Sequence, residues 1–279
     1  MRPAPTISKF RLELFLGVML SAAGTDAARA GFATFEVAGA NAAAITPTRD
    51  AFRAAVGGGA VAGANGSFGG VRREINWDGV PAAQSDSNAF SANFFNTTSP
   101  RGVVFSTPGT GFLVSANAGG ATAPLFGFPN DFATFSAQKL FTAVNSNITD
   151  VSFFVPGTNT PATTSAFGAI FTDVEVANLS KIEFYNQMND LLYSRNILAT
   201  DNQGLSFVGA MADAGEQIFR VRITSGVNTI VSNGVLGNPS DDVVVMDDFI
   251  YAEPVPEPAT LALAALGMCA LRRRRAGVQ

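Results

Sequence analysis

The chain has 279 residues, a formal net charge of −4, no histidine, and a single cysteine, Cys269, close to its C-terminus. The lack of histidine excludes Ser-His-Asp and Cys-His catalysis and removes the commonest ligand of zinc and redox metals. A lone cysteine cannot form an intramolecular disulfide, so the fold has to be held by core packing or by bound ions. We therefore predict that the protein is not an enzyme.

The N-terminus has the three zones of a secretory signal peptide. Three basic residues come first: Arg2, Lys9 and Arg11. A mostly apolar segment follows at residues 12–23, and the small residues of a cleavage site stand at residues 28–30, Ala-Arg-Ala. We predict that residues 1–30 are a signal peptide, the alternative being an amphipathic helix of the mature domain.

Residues 31–254 form the predicted mature domain, which is more acidic than the whole chain. The segment has ten Lys and Arg against nineteen Asp and Glu, a formal net charge of −9. This balance argues against nucleic acid and anionic lipid as partners, and it suits divalent cations. The segment is rich in Phe, Val, Ile, Thr, Asn and Gly, a composition typical of β-structure.

One stretch of this domain has a helical pattern, Thr46 to Val56. Thr46 is a good N-cap, and Pro47 suits the first helical position. Gly57 is expected to end the helix, and residues 57–70 read as a flexible loop rich in glycine and alanine.

Strand patterns follow further along the chain. In the clearest one, Phe219, Val221 and Ile223 share one face while two arginines share the other. The predicted strands are residues 151–155, 167–174, 181–185, 205–211, 218–224 and 243–251. The last is nearly continuous in apolar residues, which predicts a central strand buried on both faces.

Many short strands and one small helix predict an all-β fold, an antiparallel β-sandwich with a core dominated by phenylalanine. The run from residues 72–79 (Arg-Arg-Glu-Ile-Asn-Trp-Asp-Gly) to residues 245–249 (Val-Met-Asp-Asp-Phe) resembles the jelly-roll domains of bacterial surface proteins and carbohydrate-binding modules. The resemblance implies a jelly-roll-like sandwich.

Trp77 is the only tryptophan, and Asp78 follows it. As a ligand contact, Trp77 would stack on a sugar ring while Asp78 accepted a hydroxyl hydrogen bond. The alternative is a core or loop-anchoring tryptophan followed by an Asp-Gly turn, which is the commoner role of this residue type.

Asp247 and Asp248 interrupt the apolar strand at 243–251. Neighbouring strand residues point to opposite faces, so we expect at least one carboxylate to meet a specific partner. One hypothesis is a structural Ca²⁺ site completed by residues 241–242 or 173–175, since calcium prefers six to eight oxygen ligands. The alternatives are that the strand ends at Met246 and leaves both carboxylates in water, or that one of them pairs with an arginine such as Arg72 or Arg73.

The C-terminal residues 255–279 have the order of a sorting signal. The motif Val255, Pro256, Glu257 and Pro258 precedes an apolar run at 259–271, which is predicted to be a hydrophobic helix. A cluster of arginines closes the tail: Arg272, Arg273, Arg274 and Arg275. By the positive-inside rule this cluster stays in the cytoplasm, so the large domain lies on the other side of the membrane.

These three elements resemble the PEP-CTERM sorting signal of Gram-negative bacteria that produce exopolysaccharide. The resemblance implies an exosortase partner that removes the tail. It also implies a transient inner-membrane intermediate and delivery to the cell surface or the extracellular matrix.

Two functions follow from these observations. The first is a non-catalytic surface or matrix protein with no cofactor, exopolysaccharide being a possible partner. The second is a carbohydrate-binding module or a carboxylate-dependent glycan-active enzyme, for which Glu183 with Asp190 or Asp173 with Glu175 are conceivable acid pairs. A calcium-stabilised adhesin is a third hypothesis.

Overall fold

The computed structural model describes residues 31–230 and 242–256. The predicted signal peptide, the hydrophobic C-terminal helix and the arginine cluster lie outside these residues. The described strands, in chain order, are β1 (Phe32–Gly39), β2 (Ser67–Phe68), β3 (Arg72–Ile75), β4 (Val103–Ser106), β5 (Gly111–Val114), β6 (Phe141–Val144), β7 (Ile148–Phe153), β8 (Ala162–Thr163), β9 (Ala166–Thr172), β10 (Lys181–Tyr185), β11 (Leu191–Asn196), β12 (Leu205–Ala212), β13 (Arg220–Thr224), β14 (Val245–Ala252) and β15 (Val255–Pro256). The described α-helices are α1 (Ala42–Val56) and α2 (Phe94–Thr97).

The strands form two large antiparallel sheets and one short ladder. The first sheet has the order β1-β12-β9-β14-β3-β2, and β6 also pairs with β14 and carries β5. The second sheet has the order β11-β10-β13-β7-β4, and β15 pairs with β8. The expectation of an all-β fold with antiparallel sheets is confirmed.

The main core lies between the two large sheets. Phe167 of β9 contacts Phe184 of β10 and Phe153 of β7, with ring centroids 6.4 and 6.3 Å apart. Val221 and Ile223 of β13 are fully buried in the same core, as their alternation predicts. Aromatic rings from both sheets therefore fill the space between them, and phenylalanine dominates as expected.

Strand β14 is central and buried along its whole length. It pairs with β9 on one side and with β3 and β6 on the other, and all eight of its residues are buried. Helix α1 covers the outer face of the first sheet, where Phe52 packs with Phe207 and Ile250. The predicted burial on both faces is confirmed, because the second sheet covers one face and α1 covers the other.

The predicted start of the helix at Thr46 is wrong, whereas its end at Val56 is right. The helix begins at Ala42, and the side chain of Asn41 accepts a hydrogen bond from the Ala44 amide at 3.1 Å. Thr46 instead donates its hydroxyl to the carbonyl of Ala42. Pro47 lies inside the helix at the cost of one backbone hydrogen bond, which burial of the apolar face of α1 offsets.

The segment at residues 57–70 is more ordered than predicted. Its last residues form β2, in which Ser67 and Phe68 pair with β3. The one-turn helix α2 was not predicted, and it places Phe94 and Phe95 in the core.

Candidate functional site

A bulge in β14 brings Asp247 and Asp248 together. Met246 pairs with Phe171 of β9 and Phe249 with Ala169, so the two aspartates together face a single residue of the partner strand. Such a bulge breaks the alternation of side chains along a strand. The expectation that the carboxylates point to opposite faces is therefore wrong: Oδ1 of Asp247 accepts the hydroxyl of Ser136, and Asp248 lines a cavity with the same serine.

Asp247 is fully buried and ties two segments to β14, residues 135–136 and the loop at Trp77. Its Oδ2 accepts the amide of Phe135 at 2.6 Å, and its Oδ1 accepts the hydroxyl of Ser136 at 3.1 Å. Its backbone carbonyl accepts the indole N–H of Trp77 at 2.7 Å. Burial, reinforced by the charge of Asp248, raises the pKa of Asp247 well above its usual range.

Asp248 is 4% exposed, and its negative charge is only partly balanced by a nearby cation. Its Oδ2 lies 3.9 Å from a terminal nitrogen of Arg49 in α1, and its Oδ1 has no hydrogen-bond partner in the described residues. The alternative that the strand ends at Met246 is wrong. The expectation of an arginine partner is met by Arg49, because Arg72 pairs with Glu74 and Arg73 with Glu253.

Asp248 lines a cavity of about 480 Å³ beside the bulge. The residues of its wall that carry the argument are Arg49, Arg53, Arg101, Glu74, Asn76 and Ser136. We call this space the arginine cavity. Its wall combines guanidinium, carboxylate, amide and hydroxyl groups, so it can both donate and accept hydrogen bonds.

Three of the arginines are held in place by different contacts. Arg49 lies over the ring of Phe135, with 4.5 Å between the guanidinium carbon and the ring centroid. Arg53 bonds Glu74, which also accepts from Arg72. Arg101 donates its Nε to the carbonyl of Asn65 at 2.9 Å, and burial lowers its pKa from the usual value.

Trp77 lies in the core, so the core reading of this residue is confirmed and the sugar-stacking reading is wrong. It is 1% exposed, and its ring stacks on Phe141 with centroids 4.0 Å apart. Phe95 and Phe249 contact it edge-on. Because its ring is enclosed by these neighbours, no face remains for a sugar.

Asp78 anchors a loop. Its Oδ1 accepts the amide of Lys139 at 3.2 Å, and its Oδ2 accepts the side-chain amide of Asn76 at 3.2 Å. Burial raises the pKa of Asp78, and these contacts account for both of its oxygens.

The acidic residues proposed as calcium ligands form two separate groups. Asp242 accepts the amide of Glu175 at 3.1 Å, whereas Asp247 and Asp248 contact Ser136. Within residues 31–230 and 242–256, no group of three or more Asp, Glu, His or Cys side chains is arranged to hold a metal ion. The calcium hypothesis therefore lacks the ligand set that it needs in this part of the chain.

The first residues of the C-terminal motif lie against the domain. Val255 pairs with Thr163 and Pro256 with Ala162, in the ladder of β15 with β8. The core strand β14 ends only three residues before Val255. The motif from Glu257 onward lies outside the described residues, and none of the described helices has the length and apolar character to cross a membrane.

The family model of the PEP-CTERM protein-sorting motif matches residues 254–275. The chain carries a PEP-CTERM signal. This confirms the resemblance read from the tail and marks an exported protein that is sorted by an exosortase. The match covers the tail alone, and the search of curated proteins found no match to the chain.

Among solved structures, the chain is similar to the enzymatically active domain of tailspike protein 4 from bacteriophage CBA120. The identity is 11% and the TM-score is 0.22. The alignment covers 63% of the chain but only 20% of the tailspike structure.

The sequence patterns did not predict the arginine cavity. One signal for it is the position of the cations: half of the ten in residues 31–254 lie within the first third of that segment, namely Arg49, Arg53, Arg72, Arg73 and Arg101. That clustering in sequence points to a local positive region in an otherwise acidic domain.

Proposed function

We propose that the PEP-CTERM protein is a non-catalytic component of the cell surface or extracellular matrix, released from the inner membrane when an exosortase removes its tail. The observation that carries the proposal is the PEP-CTERM signal directly after the last core strand. The apolar run of 13 residues at 259–271 would rise about 20 Å as a helix, which is short of the roughly 30 Å hydrocarbon core. A short span held by four arginines suits a temporary anchor better than a permanent one.

The non-catalytic part of the proposal is supported by the geometry of the acids. Glycosidases need two carboxyl groups about 5 to 9.5 Å apart, with the substrate between them. Asp248 and Glu74 both line the arginine cavity, but Glu74 is held in ion pairs by Arg53 and Arg72. Of the acid pairs read from sequence, Glu183 is bound to Lys181 and Asp190 to Asn186. We propose that the two packed sheets are a jelly-roll-like scaffold for display.

The test is to replace Arg272, Arg273, Arg274 and Arg275 together by glutamine and to follow the protein in cell fractions. We expect the wild type to reach the surface or the medium without its tail in cells with exosortase, and to keep its tail at the inner membrane in cells without it. The four-arginine variant should remain unprocessed or be mislocalised. A matched variant, Arg195→Gln on the exposed face of β11, should behave as wild type. Unchanged location and processing of the four-arginine variant would overturn the proposal.

A second candidate function, a carbohydrate-binding module, is favoured by one observation: the polar arginine cavity beside Asp248. Unlike Trp77, this cavity offers groups that a bound sugar can reach.

A further inference from the structure

The arginine cavity carries a local positive charge in an acidic domain. Five of the ten cations of residues 31–254 lie in or beside it, and four of them have acidic partners: Arg49 near Asp248 and Asp50, Arg53 and Arg72 on Glu74, and Arg73 on Glu253. Arg101 has none. Its Nε bonds a backbone carbonyl, and its two terminal nitrogens bond no residue of the described chain. Arg101 is thus the uncompensated cation of the cavity.

The cavity also contains buried polar atoms without partners. They are Oδ1 of Asp248 and Nε of Arg53, and both residues line the cavity; Nε of Arg49 also makes no hydrogen bond, but it lies 2.8 Å from Oδ1 of Asp50. Asp248 is more than nine-tenths buried. An unpaired buried polar atom costs free energy, and native proteins leave few of them, so a ligand that pairs with these atoms would gain affinity.

The unpaired polar atoms of the cavity determine which hydrogen-bonding groups a ligand needs. A carboxylate oxygen needs a hydroxyl or amine donor, and the guanidinium groups need oxygen acceptors. A sugar hydroxyl is both donor and acceptor, so one hydroxyl can bridge Asp248 and an arginine. The planar fork of Arg101 matches a carboxylate, which it can bind through two parallel hydrogen bonds.

We propose that the arginine cavity binds a hydroxylated carboxylate, of the kind presented by a uronic-acid sugar. Arg101 binds the carboxylate, and Asp248 Oδ1 accepts a hydroxyl. Asn76 and Ser136 on the same wall supply further polar contacts. The cation–aromatic contact of Arg101 with Phe95, at 4.9 Å, holds its guanidinium plane in place.

Other anions fit this wall less well. Glu74 and Asp248 both line the cavity, and their negative charges repel a doubly charged phosphate more strongly than a singly charged carboxylate. A simple carboxylate without hydroxyls would satisfy Arg101 and leave Asp248 unpaired. The ligand therefore needs one negative charge and several hydroxyls together.

The inference rests on the second candidate function, the carbohydrate-binding module, and is independent of tail processing. The experiment measures binding of glucuronate, glucose, acetate and a short oligouronate to the full-length chain by titration calorimetry. Glucose and glucuronate differ only at C6, which is a hydroxymethyl group in glucose and a carboxylate in glucuronate. The oligouronate tests whether the ligand is a single sugar acid or a unit within a polymer. Arg101→Gln and Asp248→Asn are compared with Arg195→Gln, which lies away from the cavity.

We expect glucuronate to bind at least about tenfold more tightly than glucose or acetate, in line with a charge-assisted hydrogen bond. Arg101→Gln should remove the advantage over glucose, and Asp248→Asn should remove the advantage over acetate. Arg195→Gln should leave both unchanged. Tighter binding of the oligouronate than of glucuronate identifies a polymer as the ligand, and equal binding identifies a single unit.

Three results would overturn the inference: no binding of glucuronate or oligouronate, equal binding of glucose and glucuronate by wild type, or a preference that survives in Arg101→Gln. If neutral glycans bind and Arg101→Gln leaves that binding unchanged, the carbohydrate-binding function survives and this site does not. Circular dichroism and thermal melting of each variant separate lost binding from lost folding.

Discussion

Asp173 is the residue whose replacement should change the pH dependence of stability most clearly. It is 6% exposed at the end of β9, and its Oδ1 accepts the amide of Gln203 at 3.3 Å. Burial, together with the charges of Glu175, Asp131 and Asp242, raises its pKa from 3.8 to about 7. Asp173→Asn removes the charge and keeps an oxygen acceptor. The left-handed backbone of this residue, with φ of 68°, also suits asparagine.

The sign and size of the effect follow from linkage. A raised pKa means that the folded state binds the proton more tightly than the unfolded state, so stability falls as pH rises from about 4 to about 7. A pKa change from 3.8 to about 7 corresponds to about 4 kcal/mol, at about 1.4 kcal/mol for each tenfold change in proton affinity. The wild type should therefore carry a penalty of this order at pH above 7, and Asp173→Asn should not.

The assay is urea denaturation of wild type and variant at a series of pH values on both sides of neutrality. We expect equal free energies of unfolding at about pH 4 and below, and an advantage for the variant that grows through neutrality to several kcal/mol in mild base. Asp201→Asn is the matched control, because Asp201 lies exposed in the nearby turn and its replacement changes the net charge equally. Parallel pH curves for wild type and Asp173→Asn would refute the reasoning.

Three further predictions concern packing and metal binding. Trp77→Phe should lower the free energy of unfolding by about 2 kcal/mol, because the carbonyl of Asp247 loses its indole donor and a cavity opens; urea denaturation followed by circular dichroism measures this, and an unchanged value contradicts it. Gly209→Ala should cost about 1 to 3 kcal/mol, since the added carbon would lie 2.9 Å from the ring of Phe207 and 3.0 Å from that of Phe52. Gly59→Ala, with no atom within 4 Å, is its control, and equal melting temperatures would show the reasoning wrong. Adding calcium or EDTA should leave the melting temperature unchanged, and a fall with EDTA would restore the calcium hypothesis.

Side-chain periodicity predicted six of the described strands, β7, β9, β10, β12, β13 and β14, and missed short core strands such as β4, β5 and β6. Val221 and Ile223 alternate with arginines and are buried as expected, and the apolar run of β14 is central. The helix start was misjudged because Thr46 and Pro47 carry strong local signals for an N-terminus. The cap at Asn41 and the buried contacts of Ile45 outweigh those signals.

The site could not be predicted in the same way. The bulge at Asp247 and Asp248 depends on how β14 pairs with β9, and the strand's own sequence pattern does not reveal it. The approach of Arg49 to Asp248 joins a helix near the N-terminus to one of the last strands, which no local pattern encodes. The buried position of Trp77 follows the general habit of tryptophan, which composition alone cannot separate from a binding role.

The pairing of Val255 and Pro256 with β8 holds the first residues of the sorting signal against the folded domain. An exosortase that acts on this signal would therefore work next to the folded domain. The rate of processing would then depend on how easily Val255 and Pro256 separate from Thr163 and Ala162. A substitution in β8, outside the signal, would change that rate.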